Sequence, residues 1–224
     1  MDSGSITIRQ CPNCQSLIGE LEPVADNSYD ARYYSDGKMV GDYAGTPNLV
    51  KCYSCNKFFW LKKTFTLGKF EVTNGSSIRT KSGGNIPEAT FLSLKENLQV
   101  LKSGFIRSVT DELYVRQQIC WLFNDRLRAN QAMFFYFQEI EVWRENNLRF
   151  LDMLDPIDSS QVLMMAELFR YLGDFKAAIE VMGCVDENDY QWLKPIFIRK
   201  CKEQNMEVFL MGKNVNFHFI PNRY

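Results

Sequence analysis

Two cysteine pairs constrain this chain more than any other feature: Cys11-Pro12-Asn13-Cys14 and Cys52-Tyr53-Ser54-Cys55. In a pair of this spacing a tight turn lets both sulfurs face one ion while backbone N–H groups point at the thiolates, and two pairs close a tetrahedron. The spacing therefore predicts one structural zinc ion per chain, held by Cys11, Cys14, Cys52 and Cys55. Two other uses of the same residues compete with this one. A thioredoxin-like redox pair would open a helix in a βαβ pattern, which neither pair does. Disulfides would need an oxidising compartment, and Met1-Asp2-Ser3-Gly4-Ser5 lacks a basic, hydrophobic leader.

The flanks of both pairs read as strands. Residues 6–9 precede the first pair, residues 49–51 precede the second, and residues 58–61 follow it, all rich in β-branched or aromatic side chains. That layout, over residues 5–70, resembles a zinc ribbon, and the resemblance implies a β-rich module with the four cysteines as ligands. Many ribbons carry glycine after the second cysteine of each pair, where this chain has Gln15 and Asn56. Asparagine accepts the left-handed conformation better than glutamine, so the first turn is expected to be distorted. The pairs are separated by 37 residues, more than a simple ribbon needs. Asp36-Gly37 between two β-prone runs predicts a type I′ hairpin on the same module, and Gly45-Thr46-Pro47-Asn48 a second turn. Four to six short strands around the zinc are expected.

Charge is polarised along this half. Residues 15–50 carry a net −4 and residues 51–81 a net +6. Lys57, Trp60, Lys62, Lys63 and Lys69, interleaved with further aromatics, are the residue types of a single-stranded nucleic-acid platform. A strand with inward aromatics and outward lysines gives the same pattern, and the whole chain is near neutral at −1.

The rest excludes as much as it suggests. No apolar run approaches the ~20 residues of a membrane span. Cys120, Cys184 and Cys201 are scattered through helical segments and read as small buried hydrophobes in a reducing cytoplasm. The single histidine, His218, has no nucleophile or carboxylate partner in a recognisable motif, so no catalytic role is assigned and the chain is read as non-enzymatic.

The stretch from Val72 to Ile86 is poor in apolar residues and rich in glycine and serine, which marks a boundary. The domains expected are a β module at 1–72, a linker at 73–86, a helical domain at 87–210 and a tail at 211–224. A segment from about Asn85 onward should then stand alone. Pro87 is placed for the first turn of a helix. Ser108-Val-Thr-Asp111 has capping-box spacing for a second helix running to about Arg128, and the aromatic-dense run 132–154 reads as a buried helix.

Asp158-Ser-Ser-Gln161 caps a further helix. In the segment from there to Val185, Ala166, Phe169, Gly173-Asp174-Phe175 and Ala178 fall where a tetratricopeptide repeat needs small residues and an inter-helix turn. This segment resembles that repeat, and Ala132 and Phe135 stand one ~34-residue period earlier. A third unit would begin at a cap on Asp186, with Pro195 marking a kink or the true helix start. The fold class expected is α+β, a small zinc ribbon followed by TPR-like helical hairpins, a combination similar to that of uncharacterised bacterial proteins. The resemblance implies a protein or peptide partner on the helical face, with nucleic acid as the alternative ligand of residues 51–81.

Overall fold

The computed structural model describes residues 3–22, 31–41, 45–73, 85–185 and 192–213. Most of the 73–86 stretch, the cap on Asp186, His218 and the tail beyond 213 lie outside them. The architecture is α+β, with short antiparallel strands first and helices after. The chain divides into two compact units, and the division is not a single cut. One unit takes the residues up to Ala31 and then Val40–Glu96, and the other takes Arg32–Met39 and the chain from Asn97 onward.

In the first unit, β1 (Ser3–Gln10) is the centre of a three-stranded antiparallel sheet between β2 (Leu17–Glu22) and β7 (Thr66–Thr73). Ile6, Thr7 and Ile8 are all buried, so this strand is covered on both faces. The polar face is closed by pairing: Thr7 Oγ1 donates to Glu22 Oε1 at 2.7 Å, and Arg9 Nε lies 2.5 Å from the buried Glu20 carboxylate. A separate hairpin, β5 (Leu49–Lys51) and β6 (Phe58–Trp60), pairs Val50 with Phe59. One turn of 3₁₀ helix follows at Leu61–Lys63.

The helix expected from Pro87 starts later. Residues 85–89 are extended along the outer edge of β2, where Gly19 N–H donates to Pro87 O at 2.9 Å and Ala89 N–H to Gly19 O at 2.8 Å. Glycine at 19 leaves room for this approach, since a Cβ there would stand 3.0 Å from Ile6 Cγ2 and that side chain would have to give way. The first helix, α1 (Leu94–Lys102), is nucleated by a capping box: Ser93 Oγ accepts from Glu96 N–H at 3.3 Å, and Glu96 Oε2 accepts from Ser93 N–H at 3.0 Å. That reciprocal cap outweighs the fixed φ of Pro87. The division between the units runs through α1.

The second unit holds α2 (Val109–Arg128), α3 (Gln138–Met153), α4 (Ser159–Tyr171), α5 (Phe175–Gly183) and α6 (Leu193–Lys202). Ser108 caps α2 as its spacing predicts, with Oγ accepting from Asp111 N–H at 3.1 Å. The α4–α5 turn forms where expected: Gly173 has φ +82°, and Asp174 Oδ1 accepts from Ala177 N–H at 3.0 Å. The 132–156 region contains one helix, α3, rather than a pair. Pro195 falls in the first turn of α6, where its missing N–H has no intrahelical partner to lose.

The hairpin expected at Asp36-Gly37 does form, but in this second unit. Strands β3 (Arg32–Tyr34) and β4 (Met39–Val40) join a three-stranded sheet with β8 (Leu210–Lys213), in the order β4-β3-β8. Its loop is not type I′. Only Gly37 has positive φ, at +75°, and Tyr34 N–H donates to Lys38 O at 3.0 Å, the pattern of a three-residue loop closed by a left-handed glycine. Asp36 is left free to turn inward. Its carboxylate is fully buried, pairs with Arg128 and accepts from Asn124 Nδ2 at 2.8 Å, while its carbonyl accepts from Trp121 Nε1 at 2.9 Å. Next to it, Ser35 Oγ lies 3.5 Å from Arg170 Nη2 and accepts from Phe209 N–H at 3.2 Å. A segment beginning near Asn85 would lack this hairpin and with it the partners that Asp36 and Ser35 supply to Arg128 and Arg170.

Two outcomes follow for this unit. Asp36→Ala removes the carboxylate from a buried arginine and should cost about 3 kcal/mol in denaturant unfolding followed by far-UV circular dichroism. The Arg126 guanidinium, bidentate on Glu139 at 2.7 and 2.9 Å, holds that carboxyl down at about 2. The folded value lies below the unfolded one, so the pair's contribution is complete above about pH 4.5 and is lost as pH falls toward 2. Glu139→Gln should therefore lower the melting temperature at pH 7 and leave it nearly unchanged at pH 2.

Candidate metal centre

Each cysteine pair sits at the tip of a two-stranded ladder. The β1–β2 register closes at Gln10 opposite Leu17, and the β5–β6 register at Lys51 opposite Phe58. The two turns have the same internal bonding. Gln15 N–H donates to Cys11 O and Asn56 N–H to Cys52 O, both at 2.9 Å, while Cys11 N–H donates to Ser16 O and Cys52 N–H to Lys57 O, again both at 2.9 Å. Gln15 (φ +63°) and Asn56 (φ +57°) hold the left-handed position. The distortion expected of the first turn is absent: glutamine adopts the conformation of a ribbon's usual glycine at a cost of ~1 kcal/mol.

The four sulfurs converge. All lie within 4.8 Å of one another, with Cys14 Sγ to Cys52 Sγ at 3.5 Å and Cys11 Sγ to Cys55 Sγ at 3.8 Å. Sulfurs placed ~2.3 Å from a tetrahedrally held ion stand ~3.8 Å apart, so these side chains fit one metal ion. The same distances exclude a disulfide, whose sulfurs are ~2.05 Å apart. Cys11 and Cys52 are buried against Ile18, Val50, Phe59 and Leu61, while Cys14 is exposed. Environment splits the thiols accordingly: the Ser16 hydroxyl and then its N–H lower Cys14 to about 6, and burial pushes Cys52 up to about 12. An ion at the centre would reverse the second shift, since a cation among thiols deprotonates them.

The basic, aromatic segment is divided by the fold. Trp60 is only 8% exposed, so neither face of its ring is open for stacking, and Lys63 Nζ lies 5.1 Å from the ring centroid. Lys69 Nζ is paired with Glu22 at 2.5 Å. Lys57 and Lys62 are exposed. The exposed aromatics among the described residues of this segment are instead Tyr53, Phe65 and Phe70.

A surface that the sequence reading did not anticipate lies on the helical unit. Residues 131–137 are irregular rather than a buried helix, and Phe135, Tyr136 and Phe137 are 54, 70 and 77% exposed. Arg126 organises them. It donates to Met133 O at 2.8 Å, stacks 4.1 Å from the Phe135 ring centroid and grips Glu139, which accepts from Phe135 N–H at 2.7 Å. Glu139 standing four residues beyond Phe135 is the signal that marks the start of α3, and the density of aromatics hides it.

No family model matches this chain, and neither the curated proteins nor the solved structures compared with it give a match.

If Gln15 takes the left-handed position under strain, Gln15→Gly should relieve it. The variant should raise the midpoint of chelator-induced unfolding of the first unit and stabilise it by about 1 kcal/mol, whereas Asn56→Gly should change it by no more than a few tenths.

Proposed function

We propose that this is a non-enzymatic interaction protein, in which a zinc-stapled ribbon module accompanies a TPR-like helical unit that presents an apolar surface to a protein or peptide partner in the cytoplasm. The observation that carries it is the Phe135-Tyr136-Phe137 surface. With 150–250 Å² in each ring, the exposed fractions amount to roughly 400 Å² of contiguous-sequence aromatic surface, the size at which a patch on a monomer is often a contact site. Arg126 and Glu139 fix the loop in place, which lowers the entropy lost on binding. The α4–α5 hairpin, with its Gly173-Asp174 turn, supports the likeness to a tetratricopeptide unit.

Zinc is the ion that suits four thiolates in a tetrahedron. Four protein ligands leave no coordination position for substrate, which supports a structural role. Cys11, Cys14, Cys52 and Cys55 would orient and hold it, and the ion supplies no chemistry beyond cross-linking the two turns.

A nucleic-acid reading keeps one observation in its favour, the exposed Lys57 and Lys62 beside the second turn. Against it stand the burial of Trp60 and the pairing of Lys69.

Elemental analysis of protein purified without chelator should find one zinc per chain, and Cys52→Ser should lose it, unfolding the first unit while most helical signal remains. In pull-downs from the native cell, Phe137→Asp should abolish capture of the partner without lowering the melting temperature. Absence of stoichiometric metal ends the zinc assignment. Capture of single-stranded nucleic acid, with affinity falling about 0.7 log units per log salt for each lysine contact, selects the second reading instead.

A further inference from the structure

The outer edge of β7 is the least protected feature among the described residues. Among the described residues β7 pairs only with β1, and the opposite edge of this sheet, on β2, is covered by residues 85–89. The strand is eight residues long, contains no proline, and its one lysine, Lys69, is already turned onto Glu22 of the neighbouring hairpin. Among the described residues no loop or helix covers this edge, and an irregularity near Gly68 leaves the strand regular from there to Thr73. Phe70, at the middle of that regular part, is half-exposed, and its ring atoms lie 3.3 and 3.5 Å from where a Cβ on Gly68 would be. The ring is laid over a residue with no side chain of its own and remains open on its other side.

What would cover such an edge is decided by its charge order. Lys69 and Glu71 stand on either side of Phe70, so the strand is complementary to itself when reversed. We propose that β7 pairs with β7 of a second copy of this chain, antiparallel, about a two-fold axis at Phe70. The register places Lys69 opposite Glu71 of the second copy, Glu71 opposite its Lys69, Phe70 opposite Phe70 and Gly68 opposite Val72. The two three-stranded sheets become one six-stranded sheet, and the rows of unpaired N–H and C=O groups are satisfied. Opposite charges directly across an antiparallel pair, together with an aromatic pair, are the contacts that fix a register. Lys69 retains more than half its exposure while bonded to Glu22, so its ammonium has room for a second carboxylate. The contact surface is a strand edge and a few side chains, less than the ~800 Å² per partner of a standard interface, so the dimer is a reversible, micromolar one.

The test is a charge exchange in the full-length, zinc-loaded chain, read by sedimentation equilibrium from about 1 to about 100 µM. The wild type should show a monomer–dimer equilibrium. Lys69→Glu or Glu71→Lys alone sets like charges across both pairs and should raise the dimer dissociation constant about tenfold or more. The double variant K69E/E71K restores both pairs and should return to within about threefold of the wild type. Metal content and far-UV circular dichroism confirm that each variant is folded. As an independent measure on the otherwise unchanged chain, a photo-reactive benzoylphenylalanine in place of Phe70 should cross-link to residues 68–72 of the second copy. A wild type that stays monomeric at 100 µM overturns the proposal, as does a dimer indifferent to both single changes, single changes that the double variant does not rescue, or cross-links that map elsewhere. A monomer whose β7 edge binds an added peptide or nucleic acid overturns it as well.

Discussion

The helical unit is built around a charge that has no access to water. Arg170 and Glu167 are both fully buried, and taking such a pair out of water costs several kcal/mol per ion unless every donor finds a partner. Here the donors do. Nε and Nη2 reach the two oxygens of Glu167 at 2.8 and 2.6 Å, and Nη1 reaches the carbonyls of Asn205 and Glu207 at 2.5 and 2.9 Å. The guanidinium plane is lined by the rings of Tyr171, Phe197 and Phe209 at 5.0–5.9 Å. Arg170 therefore ties α4 to α6 and to the chain leading into β8. Through Ser35, which bonds Phe209 from both its backbone and its hydroxyl, the same centre fixes the β3–β4 hairpin.

That hairpin comes from the chain between the two cysteine pairs, which makes the units interleaved in sequence while each stays compact. A second buried pair, Asp36 with Arg128, backed by Asn124 and Asp125, holds the same loop. Breaking either pair leaves an uncompensated charge inside the protein, a far larger cost than losing an exposed pair such as Lys176 with Glu180. The specificity of the hairpin's seat thus rests on two arginines and not on its own short ladder.

What could be read in the sequence follows from how local each signal is. The cysteine turns, the Ser108 cap and the Gly173-Asp174 turn are all closed by bonds within five residues, and each was legible. Asp36-Gly37 was legible as a turn, but its address was not, because its partners, Asn124 and Arg128, are 88 and 92 positions away and look like ordinary surface polar residues on an amphipathic helix. Ser93-Leu-Lys-Glu96 is a capping box in plain sight, overshadowed by Pro87, whose geometry suits an extended strand equally well. The run from Met133 to Phe137 misled for a different reason. Large aromatic residues are buried on average, and nothing in their spacing reveals that Arg126 and Glu139 will hold three of them outward.

The two units are thus stabilised by different physics. The first has a small apolar cluster around Cys11 and Cys52, one three-stranded sheet and one short hairpin, a core of the size that commonly relies on a metal or a disulfide to fold. Cys14 binds its proton weakly and Cys52 binds its proton tightly, and one bound cation would hold both as thiolates. The second packs a larger apolar core, with Val115, Ile119, Phe123, Phe150 and Leu168 fully buried, around arginine–carboxylate pairs whose basic members stay charged at any pH a protein meets. A metal ion held by the four cysteines would cross-link the first unit and leave the ion pairs of the second unaltered, while strong acid removes the Arg126–Glu139 pair of the second unit and the Lys69–Glu22 pair of the first.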